Sequence, residues 1–163
     1  MSIRNRVTAD FVDPSDGLAI TATSGSGFRL QFDTASTAEG GIGPSPTESL
    51  LAALAACTAM DVASILRKKR QAVDRYDIEV HGEEASQHPQ VFTSITVEHV
   101  VAGDVDPEAV RRSIELSATR YCPVSALLSK GVTIEHRYRL TRRDGTEHAA
   151  LVVVTGPGDA PAA

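Results

Sequence analysis

Apolar and polar positions alternate through the first third of the chain, then change period. Ile3 to Val12 is rich in Val, Thr and Phe and closes at Asp13-Pro14-Ser15-Asp16-Gly17, a cluster of turn-forming residues. Leu18 to Thr23 alternates, Gly25-Ser26-Gly27 supplies residues tolerant of positive φ, and Phe28 to Phe32 alternates again. Three strands joined by short turns are predicted, followed by a glycine-bearing loop over Thr34 to Gly43. From Ser45 the period becomes helical. Ser45 suits an N-cap, Pro46 the first helical position, and Glu48 completes a capping box. Leu50, Leu51, Leu54, Cys57, Val62, Ile65 and Leu66 follow, with spacings of three and four recurring among them, and Arg67 to Arg70 place cations at the dipole's negative end. The stretch from Leu51 to Cys57 has no polar side, which predicts a helix covered all round, at the centre of a core or under a partner subunit.

Two further strands are predicted over Val73 to Gly82 and Val91 to Ala102, separated by the polar stretch Glu83 to Gln90. A second helix opens at Asp106-Pro107-Glu108, and Cys122-Pro123 opens a third that stops at Gly131. Val132 to Leu140 alternates as a last strand, with a short extra strand allowed over Leu151 to Val154. The order βββ-α-ββ-αα-β predicts an α+β fold. One domain is expected over residues 1–140, and 141–163 is read as a partly disordered extension ending in Pro, Gly and Ala without periodicity.

Composition narrows the function. With 163 residues, 42% hydrophobic and 23% charged, the chain is an ordinary globular one. A formal charge of -5 without a basic stripe argues against nucleic acid as a partner. The apolar run from Leu50 to Cys57 is far short of the roughly 20 residues that span a bilayer, and Met1 to Asp10 has no apolar block of a signal peptide. The expectation is a soluble, cytoplasmic protein with no membrane partner. The five histidines make no paired ligand spacing, and no phosphate-cradling loop or nucleophile elbow is present, so neither metal nor cofactor is expected.

The chemistry then rests on two cysteines, too few for a secreted disulfide scaffold. Cys122, at a helix start and near Arg120, is either a small core or cap residue or a thiol of lowered pKa. Cys57, mid-helix among alanines, reads by itself as inert packing unless a cation or hydrogen bond reaches it. If the two sulfurs meet, one can be oxidised by a substrate and the other can resolve it to a disulfide. Glu48 lies about 900° of helical rotation before Cys57, half a turn out of phase, so capping is its local role.

The stretch from Gly43 to Cys57 (GPSPTESLLAALAAC), then Met60 to Leu66, Tyr121 to Ser125 and Val132 to Ile134, resembles the OsmC/Ohr superfamily of osmotically inducible and organic-hydroperoxide-resistance proteins, nearest its YhfA-like branch. The resemblance covers about Arg4 to Leu140. It implies an intertwined homodimer, with antiparallel sheets wrapped around central helices and two sites at the interface. It also implies that the helix cysteine attacks a hydroperoxide and that the second cysteine closes a disulfide reopened by a dithiol such as a lipoyl group. Those roles fall on Cys57 and Cys122. Peroxidase members carry a glutamate directly after the helix-start proline, where this chain has Thr47 and moves the acid to Glu48, which completes the candidate catalytic set. They hold that glutamate with an arginine from the turn between the first two strands, and Asp13 to Gly17 contains none. Arg4, Arg6, Arg29 and Arg120 are the alternatives. Two functions follow: a thiol-dependent hydroperoxide reductase, or a non-catalytic dimer holding a small hydrophobic or thiol ligand at its interface.

Overall fold

The computed structural model describes residues 6–10, 18–33 and 41–157. They form two compact units, divided after Leu50. In the first, β1 (Arg6–Asp10), β2 (Ala19–Thr23) and β3 (Arg29–Phe32) make an antiparallel sheet in chain order. Val7 faces Ala22 and Ile20 faces Phe32 across it. The β2–β3 turn closes where the Gly27 amide donates to the Ser24 carbonyl oxygen and the Ser24 amide to that of Phe28, and Gly27 takes φ +91°, which only glycine adopts freely. The turn cluster Asp13 to Gly17, most of the Thr34 to Gly43 loop and the last six residues lie outside the described residues.

The helix α1 (Pro46–Lys68) begins as the sequence predicts. Ser45 Oγ accepts the Glu48 amide at 3.2 Å, and the Glu48 carboxylate accepts the Ser45 amide at 2.7 Å, the reciprocal capping box. These bonds hold the Glu48 carboxyl below its usual range. Ser45→Ala is expected to cost about 1 kcal/mol, read as a lower urea midpoint at unchanged slope.

The second unit carries most of α1, then β4 (Ala72–Glu84), β5 (Phe92–Asp104), α2 (Pro107–Leu116), α3 (Pro123–Leu128), β6 (Thr133–Thr141) and β7 (Glu147–Thr155). The sheet order is β4-β5-β6-β7. Its pairs are antiparallel except β5–β6, which are parallel because α2 and α3 carry the chain back over the sheet between them. The strand allowed over Leu151 to Val154 is nine residues long, pairs with β6 over its whole length and puts residues 147–155 on the sheet.

Burial alternates along β5 and β6, so Ile95, Val97, His99 and Val101, with Ile134, His136, Tyr138 and Leu140, share one covered face. Onto it α1 lays Leu54, Thr58, Val62 and Leu66, one residue per turn. The all-round burial expected of this helix is not found among the described residues. Ala52, Ala53, Ala56, Met60 and Ala63 are exposed on its other side, and Met60 retains 74% of its surface. By length and composition alone α1 could cross a membrane, yet it carries Asp61 and packs one stripe on the sheet.

Candidate active site

Cys57 and Asp61 each stand one residue before a member of the buried stripe, Thr58 and Val62, and four residues apart, so both line the same edge of α1. Cys122 arrives from the crossover. After α2, residues Ser117–Tyr121 form one π-turn, with the Cys122 amide reaching back to the Ser117 carbonyl oxygen at 2.9 Å. Pro123 disfavours helical backbone at the residue before it, and Cys122 is extended at φ -73°, ψ 106°. It therefore becomes the N-cap of α3: its Sγ accepts the Ser125 amide at 3.4 Å and is buried, 2% exposed. The Thr58 hydroxyl donates to the Leu54 carbonyl oxygen at 2.8 Å and meets Cys122 Sγ at 3.7 Å.

These elements bring Cys57 Sγ, Cys122 Sγ and an Asp61 carboxylate oxygen within 4.8 Å of one another. Both cysteines are free thiols, Cys57 half-buried at the accessible side and Cys122 beneath it. The Ser117 hydroxyl donates to Asp61 Oδ2 at 3.0 Å and fixes the carboxylate. Glu48 lies nine residues earlier on α1, committed to the Ser45 amide.

The surroundings of Cys57 disfavour its thiolate. Burial pushes its pKa up to about 11, helped by the hydrogen bond its S–H donates to Cys122 and by electrostatic repulsion from Cys122 and Asp61. The Val124 amide opposes this by donating to the sulfur. None of the groups that dominate its acidity is cationic. Arg120 stacks over Tyr121 at 5.8 Å, Arg6 and Arg29 belong to the first unit, and Arg4 lies outside the described residues.

Sequence reasoning missed Asp61, although Cys57-x-x-x-Asp61 is the i, i+4 spacing that shares a helical face. It also missed a buried polar row. Tyr76, His99 and His136 stack across β4, β5 and β6 with ring centroids 6.0 and 6.1 Å apart, and the Tyr76 hydroxyl and His99 Nδ1 share a hydrogen bond of 2.7 Å. Burial holds His99 down at about 3 and His136 at about 4, and keeps Tyr76 protonated with help from the Asp61 charge. Beside Tyr76 a cavity of about 260 Å³ is lined by Ala63, Leu66, Val73, Gln71 and Arg67.

The OsmC-like protein family model matches residues 38–137, well over half of the chain and including both cysteines. The chain belongs to the OsmC family. Protein YhfA of Escherichia coli K12 is 38% identical over 126 residues, 77% of this chain and 92% of that protein. Among solved structures, an OsmC-like protein from Mycoplasma pneumoniae superposes with TM-score 0.68 at 20% identity, covering 84% of this chain and 96% of its own. The organic hydroperoxide resistance protein OhrB of Bacillus subtilis does so with TM-score 0.56 at 24% identity, covering 83% and 97%. At these identities the OsmC likeness establishes the α+β fold.

Proposed function

We propose that this OsmC-family chain is a thiol-dependent reductase of organic hydroperoxides working through Cys57 and Cys122. The observation that carries the reading is the approach of the two sulfurs to within 4.8 Å, inside the reach of a disulfide after side-chain rotation. The Cys57 thiolate attacks the outer peroxide oxygen, the O–O bond breaks, and an alcohol leaves after protonation. Cys57 is then a sulfenic acid. The Cys122 thiolate attacks that sulfur, hydroxide leaves as water, and the Cys57–Cys122 disulfide forms. A dithiol of the lipoyl kind returns both sulfurs to thiols, taking the oxidation as its own disulfide. The aliphatic lining of Leu51, Leu54 and Val124 suits an organic peroxide. Glu48 serves this reading as the residue that sets the start of α1.

A second copy of the chain completes the assembly in this proposal. The exposed alanine side of α1 with Met60 is the surface for it, and covering it brings the partner to the helix that carries Cys57. A cation for the thiol then comes from the partner. Two free thiols fit a reducing compartment such as the cytoplasm.

The raised pKa of Cys57, together with the cavity beside Tyr76, favours a second reading, a non-catalytic dimer that holds a small apolar or thiol ligand. Steady-state consumption of cumene hydroperoxide with a dihydrolipoyl donor separates them. Turnover proportional to protein supports the reductase; absent turnover, with ligand retention unaffected by Cys57→Ala, supports the binder.

A further inference from the structure

We propose that Cys57, Cys122 and Asp61 form a binding site for a soft divalent cation, zinc or cadmium, with one coordination position left open. The two sulfurs and the carboxylate oxygen already converge within 4.8 Å, from two elements whose backbones are fixed by the α1 helix and the α3 cap. A tetrahedral zinc ion, with bonds of about 2.3 Å to sulfur and about 2.0 Å to oxygen, needs donors about 3.5–3.8 Å apart. Rotation about χ1 of Cys57 and Asp61, both only partly buried, supplies the difference.

Two further features belong to a metal site more than to a bare thiol pair. Asp61 accepts the Ser117 hydroxyl on Oδ2, and a carboxylate oriented by such a bond keeps lone pairs for a ligand bond, the usual arrangement for a coordinating carboxylate. Three donors that are anionic when deprotonated converge within 4.8 Å, and a divalent ion offsets their mutual repulsion. Two thiolates and one carboxylate select zinc or cadmium over magnesium or calcium, which prefer oxygen throughout. Three protein ligands leave room for water or an exogenous thiol.

Binding displaces the thiol protons, and closing the Cys57–Cys122 disulfide removes both sulfur ligands and releases the ion. Metal occupancy and peroxide oxidation are therefore mutually exclusive states of one dithiol. This last step rests on the proposed redox cycle; the ion-binding set does not.

The test is a titration of reduced, metal-free protein with Zn2+ against a chromophoric chelator, paired with a Cd2+ titration that reads the thiolate-to-cadmium ultraviolet band. One ion per chain is expected, with a band of two-thiolate intensity that halves in Cys122→Ser. Asp61→Asn keeps the Ser117 bond and is expected to weaken Zn2+ binding at least about tenfold, and Ser117→Ala about tenfold through orientation alone. Absence of chelator-competitive binding, or binding unchanged in both Cys57→Ser and Asp61→Asn, overturns the site. Zinc binding without peroxide turnover supports the site and counts against the reductase alone, and peroxide turnover without zinc binding does the reverse.

Discussion

Cys57→Ser is expected to bring organic hydroperoxide consumption down to the uncatalysed background, a loss of at least about 1000-fold, because the sulfur that remains, Cys122, is buried at 2% exposure and out of a peroxide's reach. Cys122→Ser is expected to behave differently. Its Cys57 still takes one oxygen from the peroxide, so a single turnover survives, and the sulfenic acid persists until a dimedone-type reagent traps it. Both substitutions preserve side-chain volume closely, and in Cys122→Ser the new hydroxyl can still accept the Ser125 amide that Cys122 accepts at 3.4 Å, so loss of fold does not account for the pattern. Equal, complete loss of the first turnover in both variants would contradict the division of labour between the two sulfurs.

Acid is expected to unfold this protein through two imidazoles that never touch the thiols. In the unfolded chain His99 and His136 take up protons near pH 6.5, whereas in the fold burial keeps them neutral down to about 3 and about 4. Between those limits the unfolded state binds up to two more protons, so stability is full above pH 6.5 and falls as the pH drops towards the folded values. By pH 4 the loss is on the order of 5 kcal/mol, comparable with the whole stability of a small domain. The variant that isolates the cause is His136→Leu. Neither ring nitrogen of His136 has a hydrogen-bond partner among the described residues, so leucine orphans nothing. Urea midpoints measured from pH 7 to pH 4.5 are expected to fall about half as steeply in His136→Leu as in the wild type. An unchanged slope would assign the acid sensitivity to other groups.

The elements were legible where one local signal dominated. Ser45-Pro46 and Glu48 marked the start of α1 because a capping box is a contact between residues three apart. Pro123 likewise marked Cys122 as a cap, since a proline constrains its predecessor whatever the rest of the chain does. Strand β7 was legible only in its Leu151 to Val154 centre. Ala149 and Ala150 blur the alternation before it, and a register shift at His136/Arg137 shows that pairing with β6, not local pattern, sets its extent.

The candidate site was legible in its sulfurs and hidden in its environment. Family resemblance paired Cys57 with Cys122, and nothing in a 65-residue separation could have given their distance. Asp61 escaped because the search for ligands followed histidine spacing. The stacked row of Tyr76, His99 and His136 could not be foreseen, since each residue occupies an inward position of a different strand and only the sheet register makes them neighbours. The exposed side of α1 shows the converse: its apolar sequence predicts cover that the described residues do not supply.

The central claim is that the two sulfurs exchange electrons. Reduced protein treated with one equivalent of cumene hydroperoxide and measured by intact mass, then by peptide mapping without reduction, addresses it directly. A loss of about 2 Da per chain, with one crosslinked peptide joining Cys57 to Cys122, is the predicted result. Recovery of both thiols unmodified, or of Cys57 over-oxidised beside a free Cys122, would contradict it.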